Sequence, residues 1–182
     1  MNVLKTQRLC LRQLREDDAP FMLGLLNEPS FIQNIGDRGV RTIEGARQYI
    51  VNGAIASYAQ HGFGLYMVEL KATAVPIGIC GLVKRPFLPD ADVGFAFLPR
   101  FWSQGYALES GAAVLDYARD QLGIERVVAI VSPGNESSSK LLRKLGLEFE
   151  RMIETQSLGD QAALFAPAAG SSRRSSRNRS EC

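Results

Sequence analysis

Residues 98–109, LPRFWSQGYALE, decide the fold, because they predict a strand that turns directly into a helix. The strand is expected over residues 92–98 and the helix over residues 107–121. Gly105 lies in the turn between them and has no Cβ, so backbone N–H groups near it can approach an anion. The helix start adds unpaired N–H donors and the positive end of a dipole. The stretch therefore predicts a diphosphate site, although a tight turn alone also needs a glycine there.

The rest of the chain alternates between the apolar period of a strand and that of a helix. Further strands are predicted over residues 8–13, 64–71, 75–83 and 126–131, with candidate last strands over 147–155 and 161–166. Further helices are predicted over residues 19–26, 42–60 and 137–145, with a loop over 27–41 that has room for a short helix. The buried stripe of the 107–121 helix is expected at Ala112, Leu115 and Leu122, supported by Ala107, Gly111, Val114 and Ala118. The pattern indicates a mixed α/β domain with hairpins first and a strand–helix–strand–helix unit after them.

The length of 182 residues and the composition indicate one globular domain. The formal net charge is +2, but residues 168–182 carry four Arg and one Glu, so the remainder is close to neutral. We therefore expect a folded domain over residues 1–167 and a disordered basic tail over 168–182. A near-neutral body argues against a nucleic-acid surface outside that tail. The three cysteines are far apart, no apolar run reaches about 18 residues and no signal segment opens the chain, which predicts a cytoplasmic protein without a membrane partner.

A second informative segment is residues 133–147, PGNESSSKLLRKLGL. Pro133 and Gly134 predict a turn, and Asn135 or Ser137 is placed to cap the helix that follows. Capping alone is one interpretation of these residues. A contact between this turn and a ligand is the other.

Taken together, these segments resemble the GNAT superfamily of acetyl-CoA-dependent N-acetyltransferases, in the branch that contains the ribosomal-protein alanine N-acetyltransferases. Residues 101–109, FWSQGYALE, are similar to the aromatic-Trp-Gly-x-Gly-Tyr-Ala-x-Glu loop of that family. Ser103 stands where the branch often has Gly. The remaining matches are the opening over residues 4–12, the DVGF stretch over 92–95, the Asn-x-x-Ser motif over 135–138 and the Lys-Leu-Gly ending over 144–146.

The resemblance implies a GNAT fold: a mixed, mostly antiparallel twisted sheet flanked by helices, with the strands at 92–98 and 126–131 splayed apart. It also implies that acetyl-CoA lies in the gap between those strands. Its pantetheine arm would pair with backbone groups of Phe97 and Leu98. The other cofactor-binding positions implied are Ser103, Gln104, Gly105, Tyr106, Ala107 and Asn135.

The implied chemistry is attack of a neutral amine on a thioester. A backbone N–H near Phe97 or Leu98 would stabilise the oxyanion. Asp92 is the first candidate for general base, and a surface ion pair is its alternative interpretation. Ser138 would stabilise the leaving thiolate, while Glu109 is expected to hold the loop rather than to react. The sequence predicts no metal site, a turn at His61, and buried, unreactive cysteines at positions 10 and 80.

The acceptor expected from this resemblance is a protein N-terminal amine or a small-molecule amine, and the enzyme is expected to be a monomer or homodimer. Two other functions stay open at this point. One is an acyl-CoA-binding module without catalysis. The other is an RNA- or ribosome-associated protein that uses the basic tail, which would make its binding dependent on salt.

Overall fold

The computed structural model of the chain describes residues 2–155 and 161–168. Apart from Ala168, the predicted tail over 168–182 lies outside the described residues. An eight-stranded sheet runs through the described part in the order β1-β2-β3-β4-β5-β6-β8-β7. Its strands are β1 (Asn2–Lys5), β2 (Leu9–Gln13), β3 (Leu65–Leu70), β4 (Pro76–Lys84), β5 (Ala91–Phe97), β6 (Val127–Val131), β7 (Leu147–Glu154) and β8 (Gln161–Pro167). Neighbouring strands in it are antiparallel except β5 and β6, which confirms the predicted mixed, mostly antiparallel sheet.

The helices lie on both sides of this sheet. They are α1 (Ala19–Leu26), α2 (Pro29–Ile35), α3 (Ile43–Ile50), α4 (Ala56–His61), α5 (Tyr106–Asp120) and α6 (Glu136–Lys144). The helix predicted over residues 42–60 is interrupted by a π-helical turn, Val51–Ile55, between α3 and α4. Strand β1 was not predicted, and α2 is a short helix inside the segment predicted as a loop with room for one.

Alternate residues of β5 point to opposite faces and enter different cores. Val93 and Phe97 pack on the α5 side, whereas Ala96 and Leu98 pack on the side of α1–α3. The predicted buried stripe of α5 needs a correction, because Ala112 is exposed. The helix buries Gly111, Val114 and Ala118, as predicted, and also Ser110.

Gly111 allows close contact between α5 and the end of α6. A Cβ at this position would lie 2.9 Å from the Leu145 Cδ1 atom, so the glycine lets α5 approach the end of α6. Ser110 fits the same buried face because its hydroxyl donates to the Tyr106 carbonyl oxygen at 2.9 Å.

A buried ionic cluster, absent from the sequence predictions, joins the start of the chain to β3. The Arg12 guanidinium donates two 2.8 Å hydrogen bonds to Asp18 and one, also of 2.8 Å, to Glu69. Arg12 and Asp18 are both buried. Partial burial opposes ionisation of Asp18, but the hydrogen bonds from Arg12 and from the Arg15 N–H hold its pKa below the ordinary value.

Candidate active site

The central feature of the sheet is a gap between β5 and β6. These parallel strands pair only at Ala91 with Val127 and at Asp92 with Val128. Beyond Asp92 the two strands separate, and the described residues provide no backbone partner for β5 on that side. The splayed central strands that the resemblance implied are therefore present.

The register of β4 and β5 determines which backbone groups face the gap. Phe97 lies opposite Gly78, and the Leu98 N–H donates to the Ile77 carbonyl oxygen at 3.0 Å. Hydrogen-bonded and non-hydrogen-bonded pairs alternate along antiparallel strands. The N–H groups of Phe95 and Phe97 therefore point away from β4 and into the gap.

The alternation of hydrogen-bonded pairs corrects the expectation that backbone groups of Leu98 pair with the cofactor arm. Its N–H bonds Ile77, and its carbonyl oxygen accepts from the Phe101 N–H at 2.9 Å, so both of its backbone groups are engaged within the chain. The Phe97 carbonyl oxygen is also engaged, because it accepts from the Trp102 indole Nε1 at 2.7 Å. Of the expected donors, the Phe97 N–H is the one directed at the gap.

Asp92 lies at the closed end of the gap, where the β5–β6 pairing stops. In a regular parallel ladder the Ile130 N–H would bond the Val93 carbonyl oxygen. Here the Asp92 Oδ1 accepts from that N–H at 3.2 Å, and Oδ2 accepts from the Arg85 Nε at 2.5 Å. Asp92 has no exposed surface. The alternative interpretation of Asp92 as a surface ion pair is thus corrected to a buried one.

Burial also changes the proton affinity of this carboxyl group. Desolvation raises the pKa of Asp92 to about 6, although the charge of Arg85 and the hydrogen bonds from Arg85 and Ile130 act in the opposite direction. The increase agrees in direction with the expectation for a buried general base. Its role in a reaction remains a prediction.

The 103–107 loop lies beyond the end of β5 and starts α5. Ser103 and Gly105 both have left-handed backbones, with φ of 59° and 81°. The Gly105 carbonyl oxygen accepts the first helical bond, from the Glu109 N–H at 3.0 Å. The N–H groups from Gly105 to Leu108 therefore precede the helical hydrogen-bond ladder and are the donors that an anion requires.

Two residues from the start of the chain contact this loop. The Glu109 carboxylate accepts from the Thr6 hydroxyl at 2.5 Å, the Arg8 N–H at 2.8 Å and the Arg8 Nε at 2.7 Å. Arg8 also donates to the Gln104 carbonyl oxygen at 2.9 Å and lies 4.5 Å from the centre of the Tyr106 ring. Although partial burial opposes it, these hydrogen bonds hold the pKa of Glu109 below its ordinary value.

Sequence reasoning missed Arg8 as a site residue. The signal that could have indicated it was a pair of opposite charges in two of the matched motifs. Arg8 lies in the opening over residues 4–12, and Glu109 lies in the loop over residues 101–109. The expectation that Glu109 holds the loop agrees with its contacts.

The turn between β6 and α6 forms the other wall of the gap. The Asn135 Oδ1 accepts from the Ser138 N–H at 3.1 Å, so Asn135 caps α6 as one interpretation predicted. Ser138 is half-buried in the first turn of that helix. Because α5 and α6 begin where β5 and β6 end, both helix starts lie at the open end of the same gap.

A cleft of about 500 Å³ adjoins Asp92 through Arg85, which lines it. Phe87, Glu154 and Thr155 also line this cleft. The β4–β5 loop that forms it packs through Leu88 on Val128, whereas the adjacent Val127 packs in the α5 core. The cleft therefore lies on the face opposite α5.

Helix α2 reaches the end of β6 on that face. The Ser132 hydroxyl donates to the Asn34 carbonyl oxygen at 2.7 Å.

The remaining predicted residues lie away from the gap. Cys80 is buried and desolvation raises the pKa of its thiol to about 12, while Cys10 is half-buried. His61 ends α4 and stacks on Phe63. Residues 2–155 and 161–168 contain no group of three His, Cys, Asp or Glu able to hold a metal, and none of their helices is long and apolar enough to cross a membrane.

Comparison with known proteins identifies the family. The sequence profile of the acetyltransferase (GNAT) domain matches residues 8–148. The chain belongs to the GNAT acetyltransferase family. An uncharacterized N-acetyltransferase of Bacillus subtilis, YoaA, is 28% identical over 153 residues, which cover 83% of this chain and 85% of that protein.

Solved GNAT structures share the fold. An Agrobacterium tumefaciens acetyltransferase has a TM-score of 0.77 at 23% identity and covers 93% of this chain and 95% of its own. RimL, a ribosomal L7/L12 α-N-protein acetyltransferase in complex with coenzyme A, has a TM-score of 0.77 at 18% identity and covers 91% of this chain and 97% of its own. At these identities the likeness supports the fold alone.

Proposed function

We propose that this GNAT acetyltransferase transfers an acetyl group from acetyl-CoA to a primary amine by direct attack in a ternary complex. The amine is a protein N-terminal α-amine or a small-molecule amine. The observation that carries the proposal is the open edge of β5, which leads from Asp92 to the N–H groups of the 103–107 loop.

The chain offers donors of two kinds to acetyl-CoA. The loop N–H groups and the start of α5 would bind the diphosphate. The N–H groups of Phe95 and Phe97 face the gap, where they would pair with the pantetheine arm and stabilise the thioester oxygen as charge develops. Coenzyme A bound to the structural neighbour RimL is consistent with this assignment.

Asp92 would accept the proton of the attacking amine through a water, because its carboxylate is buried. The raised pKa of about 6 brings it closer to neutrality, where a general base is most effective. An α-amine titrates near 8 and a lysine near 10.4, so an α-amine needs less help from such a base. Ser138, at the start of α6, would donate a hydrogen bond to the departing thiolate.

The acceptor would enter through the cleft beside Arg85. Phe87 is 42% exposed there, and Glu154 adds a carboxylate. An aromatic ring and a carboxylate both attract an ammonium group. We expect Phe87→Ala to raise the KM of the acceptor and to leave the affinity for acetyl-CoA unchanged.

The decisive experiment combines acetyl-CoA with a panel of amines and peptides and measures the release of free thiol. Acetyl-CoA binding is measured in parallel by calorimetry for the wild type, Gly105→Glu and Gly53→Glu. Gly105→Glu places a negative charge in the loop and should abolish binding. Gly53→Glu adds the same charge at an exposed position with nothing within 4 Å of the new Cβ and should bind normally.

Each result has a defined meaning. Undiminished affinity in a folded Gly105→Glu variant would refute the loop assignment. Binding without thiol release toward any amine would favour the non-catalytic acyl-CoA-binding module. Salt-dependent RNA binding that disappears on deletion of residues 168–182 would favour the RNA-associated function.

A further inference from the structure

The Arg8 side chain contacts the 103–107 loop and α5, although Arg8 lies far from both in the sequence. It donates to the Gln104 carbonyl oxygen and to Glu109, and its guanidinium lies on the Tyr106 ring. A Cβ at Gly105 would lie 3.2 Å from the Arg8 NH2 atom. Arg8 therefore covers one side of the loop at the residue where the helix begins.

The contact with Gln104 controls the orientation of a peptide group. In a trans peptide the carbonyl oxygen and the following N–H point in opposite directions. When the Gln104 carbonyl oxygen points to Arg8, the Gly105 N–H must point away from Arg8. A rotation of this peptide group would reverse the pair and present a carbonyl oxygen where an anion needs a donor.

The loop needs such a contact because its own conformation is unfavourable. Ser103 is a non-glycine residue in the left-handed region, and residues 102–105 are exposed. A left-handed backbone is disfavoured for residues with a Cβ. The external hydrogen bond from Arg8 therefore adds to the internal ones, from Trp102 Nε1 to the Phe97 carbonyl oxygen and from Gln104 Nε2 to the Arg100 carbonyl oxygen, in keeping the loop in this conformation.

Glu109 keeps Arg8 in this position. Its Oε1 accepts from Thr6 and from the Arg8 N–H, while its Oε2 accepts from the Arg8 Nε. The β1–β2 turn and the first turn of α5 are thereby joined by one ion pair. We propose that Arg8 is a positioning residue for acetyl-CoA, which orients the Gly105 N–H through the Gln104 carbonyl oxygen. This inference rests on the proposed function.

The test compares Arg8→Met with Arg119→Met. Arg119 is a matched control because it pairs with two carboxylates at the other end of the same helix. We expect Arg8→Met to raise the Kd and the KM of acetyl-CoA about tenfold, because the charge-assisted hydrogen bond to the Gln104 carbonyl oxygen is lost together with the ion pair to Glu109. The kcat should change less than about twofold, since acetyl-CoA, once bound to the variant, lies in the same position as in the wild type. Arg119→Met should leave all three constants unchanged.

Trp102 supplies a second measurement that requires no ligand. It is the only tryptophan in the chain and directly precedes the loop. Its fluorescence emission and its quenching by acrylamide in the free protein should change in Arg8→Met and stay constant in Arg119→Met. Arg8→Lys, which keeps the charge, should restore part of the affinity and serves as the test variant if Arg8→Met does not fold.

Two failures are distinguishable. Wild-type protein that does not bind acetyl-CoA would overturn the proposed function and this inference together. Normal wild-type binding, with folded Arg8 variants that keep the wild-type Kd and the wild-type Trp102 quenching, would overturn the role of Arg8 alone.

Discussion

Replacing Asp92 with Asn tests the general base most directly. Asn keeps the size of the side chain and an oxygen for the Ile130 N–H, but it has no negative charge and cannot accept a proton. Loss of a general base typically lowers turnover by about 10²–10⁴-fold. We expect Asp92→Asn to lose at least about 10²-fold at neutral pH without a large change in acetyl-CoA binding. The loss should shrink at high pH, where the amine deprotonates unaided.

The pH dependence of kcat/KM tests the role of Asp92 quantitatively. A base with a pKa of about 6 must be ionised, so wild-type kcat/KM should fall about tenfold per pH unit below that value. The limb with a midpoint near pH 6 should be absent in Asp92→Asn, whose rate should instead rise through the pKa of the amine. Because Arg85 lowers the pKa of Asp92, Arg85→Gln should move the limb to higher pH.

Stability provides an independent readout with a defined sign. The folded pKa of about 6 lies above the ordinary value of 3.8, so the folded state binds the proton more tightly than the unfolded state. The contribution of Asp92 to stability is therefore complete below about pH 4 and is lost as the pH rises through about 6. A shift of this size corresponds to about 3 kcal/mol. Urea unfolding at several pH values should show this dependence in the wild type and its absence in Asp92→Asn.

The assay is the initial rate of thiol release between about pH 5 and pH 9, at saturating acetyl-CoA. Wild-type turnover of Asp92→Asn at neutral pH, or a limb with a midpoint near pH 6 that persists in this variant, would refute the reasoning. Asp92 would then only connect β5 to β6, and solvent or a group on the substrate would accept the proton.

Further predictions concern the loop, the α6 cap and the buried ionic cluster. Ser103→Gly should raise the free energy of unfolding by up to about 1 kcal/mol, measured in urea, because it removes a left-handed residue with a Cβ; a loss of stability would contradict this. Ser138→Ala should lower turnover at a nearly unchanged Tm, whereas Asn135→Ala should lower the free energy of unfolding by about 1 kcal/mol through the lost cap. Unaltered specific activity in Ser138→Ala would leave capping by Asn135 as the whole role of this turn. Arg12→Met should lower the free energy of unfolding by about 3–5 kcal/mol in urea, because Asp18 is left buried without its partner; a change below about 1 kcal/mol would show that Asp18 finds other partners.

The sequence predicted the strands of the central sheet to within one or two residues because their apolar patterns are strong. It missed β1 and the π-helical turn and did not place the bounds of α2, because these elements are short and have no comparable pattern. Such elements depend on tertiary contacts, such as the hydrogen bond between Ser132 and Asn34. No local signal in either segment indicates that contact.

The candidate site was predictable where one segment contains the signal and not where two distant segments meet. Gly105 and the helix that follows it predict an anion site from about a dozen consecutive residues. The contact between Arg8 and Glu109 spans 101 positions, so it required the fold. The sequence also could not show which of Phe97 and Leu98 directs its N–H into the gap, because the pairing with β4 determines which residues of β5 bond to that strand.

Asp92 shows why a structural and a catalytic role need not exclude each other. Its carboxylate receives the Ile130 N–H that the ladder would otherwise use, so it lies where the gap must begin. A buried ion pair is often no more stable than apolar side chains of similar size, so the pairing with Arg85 does not by itself explain a charge at this position. A neutral amide has one acceptor oxygen, so it would serve the Ile130 N–H without the cost of desolvating a charge but would leave the Arg85 Nε without an acceptor. An amide also cannot accept a proton at the closed end of the gap, so the pH profile of Asp92→Asn, rather than its loss of turnover alone, separates the two roles.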